Sequence, residues 1–534
     1  MKILLYVLLM TVAFASEGIQ IIPFDWSGQF GYINRAGAIF WNSDWRSNRL
    51  LFDGTWSIYP RMYGPQIEDG FSIDFVEQSN EKDSVSIDSH FQYDQGDYLL
   101  DRFLFTVDYG MKERHIKLHG FKRTYAGSFN QYSSGSLQPQ QQSYLFNYDS
   151  KKGEDNGGFS LGHFNTYSGF PDSLETSLFD NRITTSNIFW ERSAKRYAVI
   201  FTMDHFLQRY YPKHSSSFFS KPRFLNRSQY QAKFTFPLNI YYASFLFSKN
   251  NRSIKTDVST NNQWNDLLLK FGNNKSTISL GMFIIEDDIR YTRNIEYENS
   301  IKNVSAKFIY KLHYQPVHPY YILRINEKPI ENSVLIESIS GSVIIDLSKS
   351  KISATLSHFK DDSKLWTLFE NDSSDFRYSY DLLNIFCQTN IVPYLSIQMN
   401  YNIQKLKGIY SGGIGKSFEL AFKTNFKLFN GFMLIDLNGE LKHLRDRFTR
   451  SYLNPIEMVP ITNSQNVFLE PINILNASIK SQVSKFVIAY EWYNISELIL
   501  GSFGSEENNY FLIHPDMPNL GRQVNLSITW MFQD

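Results

Sequence analysis

The stretch Val524–Phe532 alternates without a fault. Val524, Leu526, Ile528, Trp530 and Phe532 fall on one side, and Asn525, Ser527, Thr529 and Met531 on the other. Side chains along a strand point to opposite faces with period two, so this segment has one apolar wall and one mostly polar wall. Trp530 and Phe532 end the apolar wall, two residues before the last residue of the sequence. A sheet closed on itself inside a bilayer needs such a strand. Its outer wall meets hydrocarbon, its inner wall meets water, and aromatic rings sit at the boundary. Leu526, Ile528, Trp530 and Phe532 are therefore the expected residues of a barrel-closing terminal strand.

The same two-faced pattern recurs along the chain. Leu395, Ile397, Met399, Tyr401 and Ile403 alternate with Ser396, Gln398, Asn400, Asn402 and Gln404. Phe418, Leu420, Phe422, Phe426 and Leu428 alternate with Glu419, Lys423, Asn425 and Lys427. Val85, Ile87, Phe91 and Tyr93 oppose Ser84, Asp88, His90 and Gln92, and Val304–Leu312 behaves alike. Nothing of comparable length repeats at helical spacing. The expected fold is all-β: a large antiparallel transmembrane β-barrel.

The connections carry a second regularity. Counted back from the C-terminus they alternate between short (Ser481–Lys485, Phe429–Gly431, Ser348–Lys351, Gly272–Lys275, Glu191–Lys195) and long. The long ones are Gly501–Gly521, Asp446–Asn466, Asp361–Asp375, Asp287–Ser300, His205–Arg227 and Gly127–Gln142. Tight periplasmic turns and long extracellular loops give that alternation directly, whereas a soluble sandwich or propeller has no reason for it. The spacing predicts about 24 strands from near Leu50 onward, within a range of roughly 22–26.

Lys2, the apolar run Ile3–Val12 and Ala13-Phe14-Ala15 have the layout of a secretory signal with an A-x-A cleavage site. The expected organisation is a signal peptide over 1–15, a lead-in over 16–48 (periplasmic, lumenal or a first strand) and a barrel over 49–534. No segment offers the apolar length of a membrane-spanning helix. The mean hydropathy of -0.33 fits a barrel, whose polar inner half dilutes the average. Aromatic residues make up 16% of the chain, enough for girdles at both interfaces. With 53 basic and 53 acidic residues, no nucleic acid is implied as a partner. Cys387 is the one cysteine, so no disulfide framework holds the exported chain and sheet closure must.

Residues Val483–Asp534 resemble the end of TonB-dependent outer-membrane receptors. The resemblance rests on Phe486–Ile495, Met517-Pro518, Gly521-Arg522 and the final strand, and it covers about a tenth of the chain. In that family a proline stands next to a Gly-Arg pair; here Asn519 and Leu520 separate them. The resemblance implies an outer-membrane location, with lipid, lipopolysaccharide, the barrel-assembly machinery and a lipoprotein or TonB-type protein as partners. Such receptors carry a plug domain before the barrel. With strands starting near Leu50, a plugless, porin-like member is expected.

No catalytic set and no cofactor is expected. His115 and His119, four apart, lie about 13 Å from each other on a strand, too far for one metal ion. Gly412–Ser417 lacks the spacing of a phosphate loop. Glu286-Asp287-Asp288 and Asp361-Asp362 are acidic enough for calcium, but solvated loop charge explains them better. The inward polar positions are the expected functional surface and line the pore: Asp108, His115, Lys117, His119, Lys307, Lys311, Gln398, Asn400, Glu419, Lys423 and Glu491. The first expectation is a passive channel for small or medium polar solutes. The second is a receptor barrel working with a separate plug, lipoprotein or TonB-type partner. A secreted soluble adhesin or glycan-binding protein is the third.

Overall fold

The structure, a computed structural model, describes residues 21–23, 31–35, 38–41, 67–68 and 72–73. From 86 to 533 it describes all but 112, 125–139, 170–177, 214–221, 256–258, 317–332, 362–377, 393, 408–411, 453–463, 502–511 and 517–520. The expected signal peptide lies outside the described residues, as does most of the expected lead-in.

Twenty-two strands close into one antiparallel transmembrane barrel. The first six are β1 (Ser86–Gly96), β2 (Leu100–Met111), β3 (Arg114–Thr124), β4 (Gln140–Lys152), β5 (Asp155–Gly169) and β6 (Leu178–Ala194). Next come β7 (Tyr197–Lys213), β8 (Arg223–Leu238), β9 (Tyr241–Lys255), β10 (Ser259–Gly272), β11 (Ser276–Ile285) and β12 (Asp288–Ile301). The ring continues with β13 (Val304–Pro316), β14 (Ser333–Leu347), β15 (Ser350–Asp361), β16 (Tyr378–Val392) and β17 (Leu395–Lys407). It ends with β18 (Gly412–Leu428), β19 (Met433–Arg450), β20, β21 (Phe486–Tyr493) and β22 (Gln523–Gln533). Strand β20 is Asn466–Leu469 plus Ile472–Val483, interrupted at Glu470 and Pro471. Its pairing with β19 keeps one register across the break, from Arg447↔Leu469 to Leu444↔Ile472. Proline has no N–H for the ladder, which accounts for the gap.

Strand β22 pairs with β1, from Asn525↔Gly96 to Gln533↔Asp88, and no edge is left. The expected apolar wall faces outward: Ile528, Trp530 and Phe532 are 36, 38 and 40% exposed, while Asn525 and Ser527 are buried. Beside this seam Phe486 of β21 stacks on Trp530, with centroids 5.1 Å apart, and Phe532 lies tilted against Trp530 at 4.5 Å. Phe91 joins them from β1, 5.9 Å from Trp530. Such aromatic contacts contribute about 0.5–1.5 kcal/mol each beyond area burial.

At one end every connection is tight: 112–113, 153–154, 195–196, 239–240, 273–275, 302–303, 348–349, 393–394, 429–432 and 484–485. Gly153, Asn239, Lys302 and Ser484 adopt positive φ there, the conformation that two-residue hairpin turns demand. Most long connections lie at the other end, including 125–139, 317–332, 362–377, 451–465 and 494–522.

One expectation is narrowed and one needs correction. The count, expected at about 24 within a range of 22–26, is 22: the ring starts at Ser86 and closes there against β22. The same fact removes the premise that strands begin too early for a plug. The supposed long loop Asp287–Ser300 is strand β12, entered by the tight turn Glu286-Asp287. Its charges misled: Asp288, Arg290 and Glu296 sit on the inner face, while Ile289, Tyr291, Ile295 and Tyr297 are exposed on the outer one.

A glycine on the outer face accommodates a neighbouring ring. The Phe422 ring lies over Gly439, where a Cβ would meet ring carbons at 2.1 and 2.3 Å. Gly439→Ala must displace that ring and should destabilise the barrel by about 1–3 kcal/mol. A Cβ at Gly341 meets nothing within 4 Å. Gly341→Ala should therefore leave the urea midpoint of vesicle-folded protein near the wild-type value, which isolates the packing effect.

Candidate functional site: the polar inner wall

The face opposite the exposed apolar one is polar on strand after strand, and its residues form separate hydrogen-bonded groups. Near the tight-turn end, His115 on β3 bridges its neighbours. Its Nε2 lies 2.7 Å from Asp108 Oδ1 on β2, and its Nδ1 3.1 Å from Asp149 Oδ1 on β4. Each ring nitrogen of His115 thus faces a carboxylate oxygen, one on either neighbouring strand. Lys117 stands opposite Asp108 and Asn147 in the register. His119, also buried, hydrogen-bonds Thr106 Oγ1 through Nδ1 at 3.1 Å. The two histidines thus have separate partners, and among the described residues no group of three or more ligating side chains surrounds an ion site.

The other expected residues lie elsewhere on the inner face. Lys307 stands opposite Glu298 and Ser342, and Lys311 opposite Asn294 and Ser338. Gln398 faces Gln388 and Ala421 across the ladder. Asn400 accepts a 2.6 Å hydrogen bond from Asn384 Nδ2, which also donates to Asn402 at 2.6 Å. Glu419 lies between Asn400 and Lys442, and Lys423 between Ser396 and Asn438. Glu491 accepts from the Tyr493 hydroxyl at 3.0 Å and lies 3.8 Å from Lys480 Nζ. Asp108, His115 and Lys117 are brought together; the rest are spread around the ring.

Several inner-face groups were not singled out from the sequence. Arg102 pairs with the fully buried Asp94 near the seam. A buried row runs across β6–β10. Asn187 donates to Asp204 at 2.8 Å, Gln229 to Ser248 at 3.1 Å, and Asn250 to both Ser248 at 3.1 Å and Asp266 at 2.9 Å. Strict alternation on β7–β10 would have located them.

At the long-loop end, the connection after β21 turns back onto β19 and β20. Asn494 takes a positive φ and its N–H donates to Asn476 Oδ1 at 3.0 Å. The short helix Ile495–Gly501 follows, with Ser496 Oγ accepting from the Leu475 N–H at 2.9 Å. Arg447, only 1% exposed, donates to the Glu470 carbonyl at 2.7 Å and to that of Leu512, which fastens the loop to the wall. Beside it His514 is fully buried, accepts the Asp516 N–H at 3.0 Å and also bonds the Arg450 backbone. Burial holds its pKa down at about 4, against a slight upward pull from that backbone bond.

The sign of the pH effect follows. Between about pH 6.5 and 4 a released loop binds a proton that the docked loop refuses, so docking weakens as pH falls through that window. The full effect is at most roughly 3 kcal/mol. Limited proteolysis of 494–522 should accelerate from pH 7.5 to 5 in the wild type. The acceleration should vanish in His514→Phe, and cleavage should be fast at both values in Arg447→Met.

A final contact involves the chain before the barrel. Strands Ile21–Pro23, Gly31–Arg35 and Ala38–Trp41 pair in series, and Phe40 pairs with Gly413 on β18. Gly413 belongs to the long-loop end of β18, above the last β17–β18 pair at Ile403↔Lys416. Gly412, Gly413 and Ile414 are all buried there.

No protein-family model and no curated protein matches this sequence. Solved structures do. The siderophore receptor PirA from Pseudomonas aeruginosa superposes with a TM-score of 0.61 at 8% identity, covering 88% of this chain and 85% of that one. The copper transporter OprC gives 0.65 at 7% identity over 88% and 85%. The fold is that of receptor-type outer-membrane barrels. FpvA of P. aeruginosa, bound to a heterologous pyoverdine, gives 0.66 at 10% identity. That match covers 96% of this chain and 82% of FpvA.

Proposed function

We propose that this protein is a receptor-type transport barrel of the outer membrane, obstructed by its own N-terminal chain and opened by an energy-coupling partner of the TonB type. One observation carries the proposal. Phe40 meets β18 at the long-loop end, yet β1 begins at Ser86 at the tight-turn end. Lipid offers no partners for backbone N–H and C=O groups, which favours the lumenal side of the ring for the strand Ala38–Trp41 that meets β18 there. A ring of this girth is too wide for wall side chains to fill, which leaves room for such an insert. The FpvA match extends over more of the chain than β1–β22 occupies, which supports the same view.

The cargo is a medium-sized polar solute held by the mixed wall, with Asp108, His115, Lys117, His119, Lys307, Lys311, Gln398, Asn400, Glu419, Lys423 and Glu491 lining its path. Metal chelates of the kind named for the structural neighbours are the first to test. In planar bilayers the wild-type protein should be electrically silent or nearly so. Stable single-channel conductance would overturn this proposal in favour of a passive channel. Recovery in the periplasm rather than with outer membranes would overturn both.

A further inference from the structure

The outer wall changes character at one height on β17–β19. From the tight-turn end upward, each strand shows about ten residues whose outward positions are mostly apolar, the span of a hydrocarbon core. On β17 these include Met399 and Ile403, and on β18 Phe426 and Phe422, all exposed. The next outward positions are Lys405 and Lys407 on β17, Lys416 on β18 and Arg445 on β19. Arg445 is 61% exposed, Lys407 50% and Lys416 43%.

The four cations are neighbours. Lys416 and Arg445 are direct partners across the ladder, and Ile403, two residues before Lys405, is the β17 partner of Lys416. Like charges directly opposite one another destabilise a sheet. Two carboxylates only partly relieve this. Asp446, held at a positive φ, sits 2.8 Å from Lys416 and 3.5 Å from Arg445, and Asp381 sits 2.7 Å from Lys407. Asp381 is shared with His358 at 2.6 Å. The patch keeps an excess of positive charge at the level where headgroups begin.

We propose that this patch docks the phosphate groups of a phosphorylated glycolipid of the outer leaflet, with Lys405, Lys407, Lys416 and Arg445 as the contacting side chains. Lipid phosphate has the charge, and the height fits: the acyl chains of the same molecule lie along the apolar band beneath. Guanidinium and ammonium groups bind phosphate by charge-assisted hydrogen bonds. The inference rests on the orientation given above, with the long-loop end outermost, and not on what the lumen transports.

Native mass spectrometry of detergent-purified full-length protein with added lipopolysaccharide tests it. The wild type should retain the glycolipid, and the variant Lys405→Gln/Lys407→Gln/Lys416→Gln/Arg445→Gln should bind at least about tenfold more weakly. Glycolipid stripped of its phosphates should bind the wild type no better than it binds that variant. Equal retention by wild type and variant, or equal binding of the dephosphorylated lipid, overturns the proposal. So does full competition by millimolar inorganic phosphate alone, which would mark a simple anion site. Heat-modifiable gel mobility reports folding. Should the quadruple variant fail to fold, Lys405→Gln/Lys407→Gln is read against Lys405→Arg/Lys407→Arg, which should bind as the wild type does. Failure here with a silent wild-type barrel leaves the transport proposal standing, so the two are separable.

Discussion

Deleting residues 17–80, with residues 1–16 kept, should turn a silent barrel into a conducting one. The segment removed contains Phe40, whose pairing with Gly413 ties the N-terminal chain to the far rim. It leaves β1 whole, so the closing ladder from Asn525↔Gly96 to Gln533↔Asp88 survives and the ring still forms. The wall side chains of 22 strands do not fill the interior. Conductance in planar bilayers should therefore rise by at least about an order of magnitude, as the lumen of a wide barrel opens to water. Cells carrying the variant should also admit bulky hydrophilic antibiotics. A deletion variant that folds and stays silent would show that the outer loops, such as 494–522 fastened by Arg447, block the lumen themselves. That result would remove the N-terminal chain from the proposal.

The second large effect is on stability. Ile528 is central on β22, exposed on the outer face, and pairs with Tyr93 and Ile488. Ile528→Arg places a charge in hydrocarbon near the middle of the bilayer and should cost about 2–4 kcal/mol. Its neighbour Thr529 points to the opposite wall and is paired with Gln92 and Val487. Thr529→Arg should cost much less, because its charge meets water or polar groups. Unfolding in urea from lipid vesicles measures both. Equal losses would mean that the two faces of β22 do not differ in solvent, which contradicts a membrane barrel.

The sequence made one level of this structure legible and hid another. Period-two alternation carries the faces of a strand without any knowledge of its partners. That is why β3, β17, β18 and β22 are recognisable as two-faced strands. Strand β12 was lost because its inner-face charges, Asp288, Arg290 and Glu296, were read as loop composition. The alternation of Ile289, Tyr291, Ile295 and Tyr297 beneath them was there to be seen. The count narrows from 22–26 to 22 only through the pairing of β22 with β1, because pattern alone does not say which strand the last one meets. Nor does periodicity reveal long-range tertiary bonds. That His115 lies between Asp108 and Asp149, or that Arg447 reaches the Leu512 carbonyl, depends on which strands are neighbours and on how a loop folds back.

The pairing of β22 with β1 also sets the order of events at birth. Val524 bonds Asp97 across 427 residues of sequence, and such distant partners make for slow folding. Until β22 is in place, β1 and β21 have nothing to join and the sheet has two raw margins. A barrel lacking this one strand would be as sticky as a barrel lacking many, so its solubility depends on the closing pair.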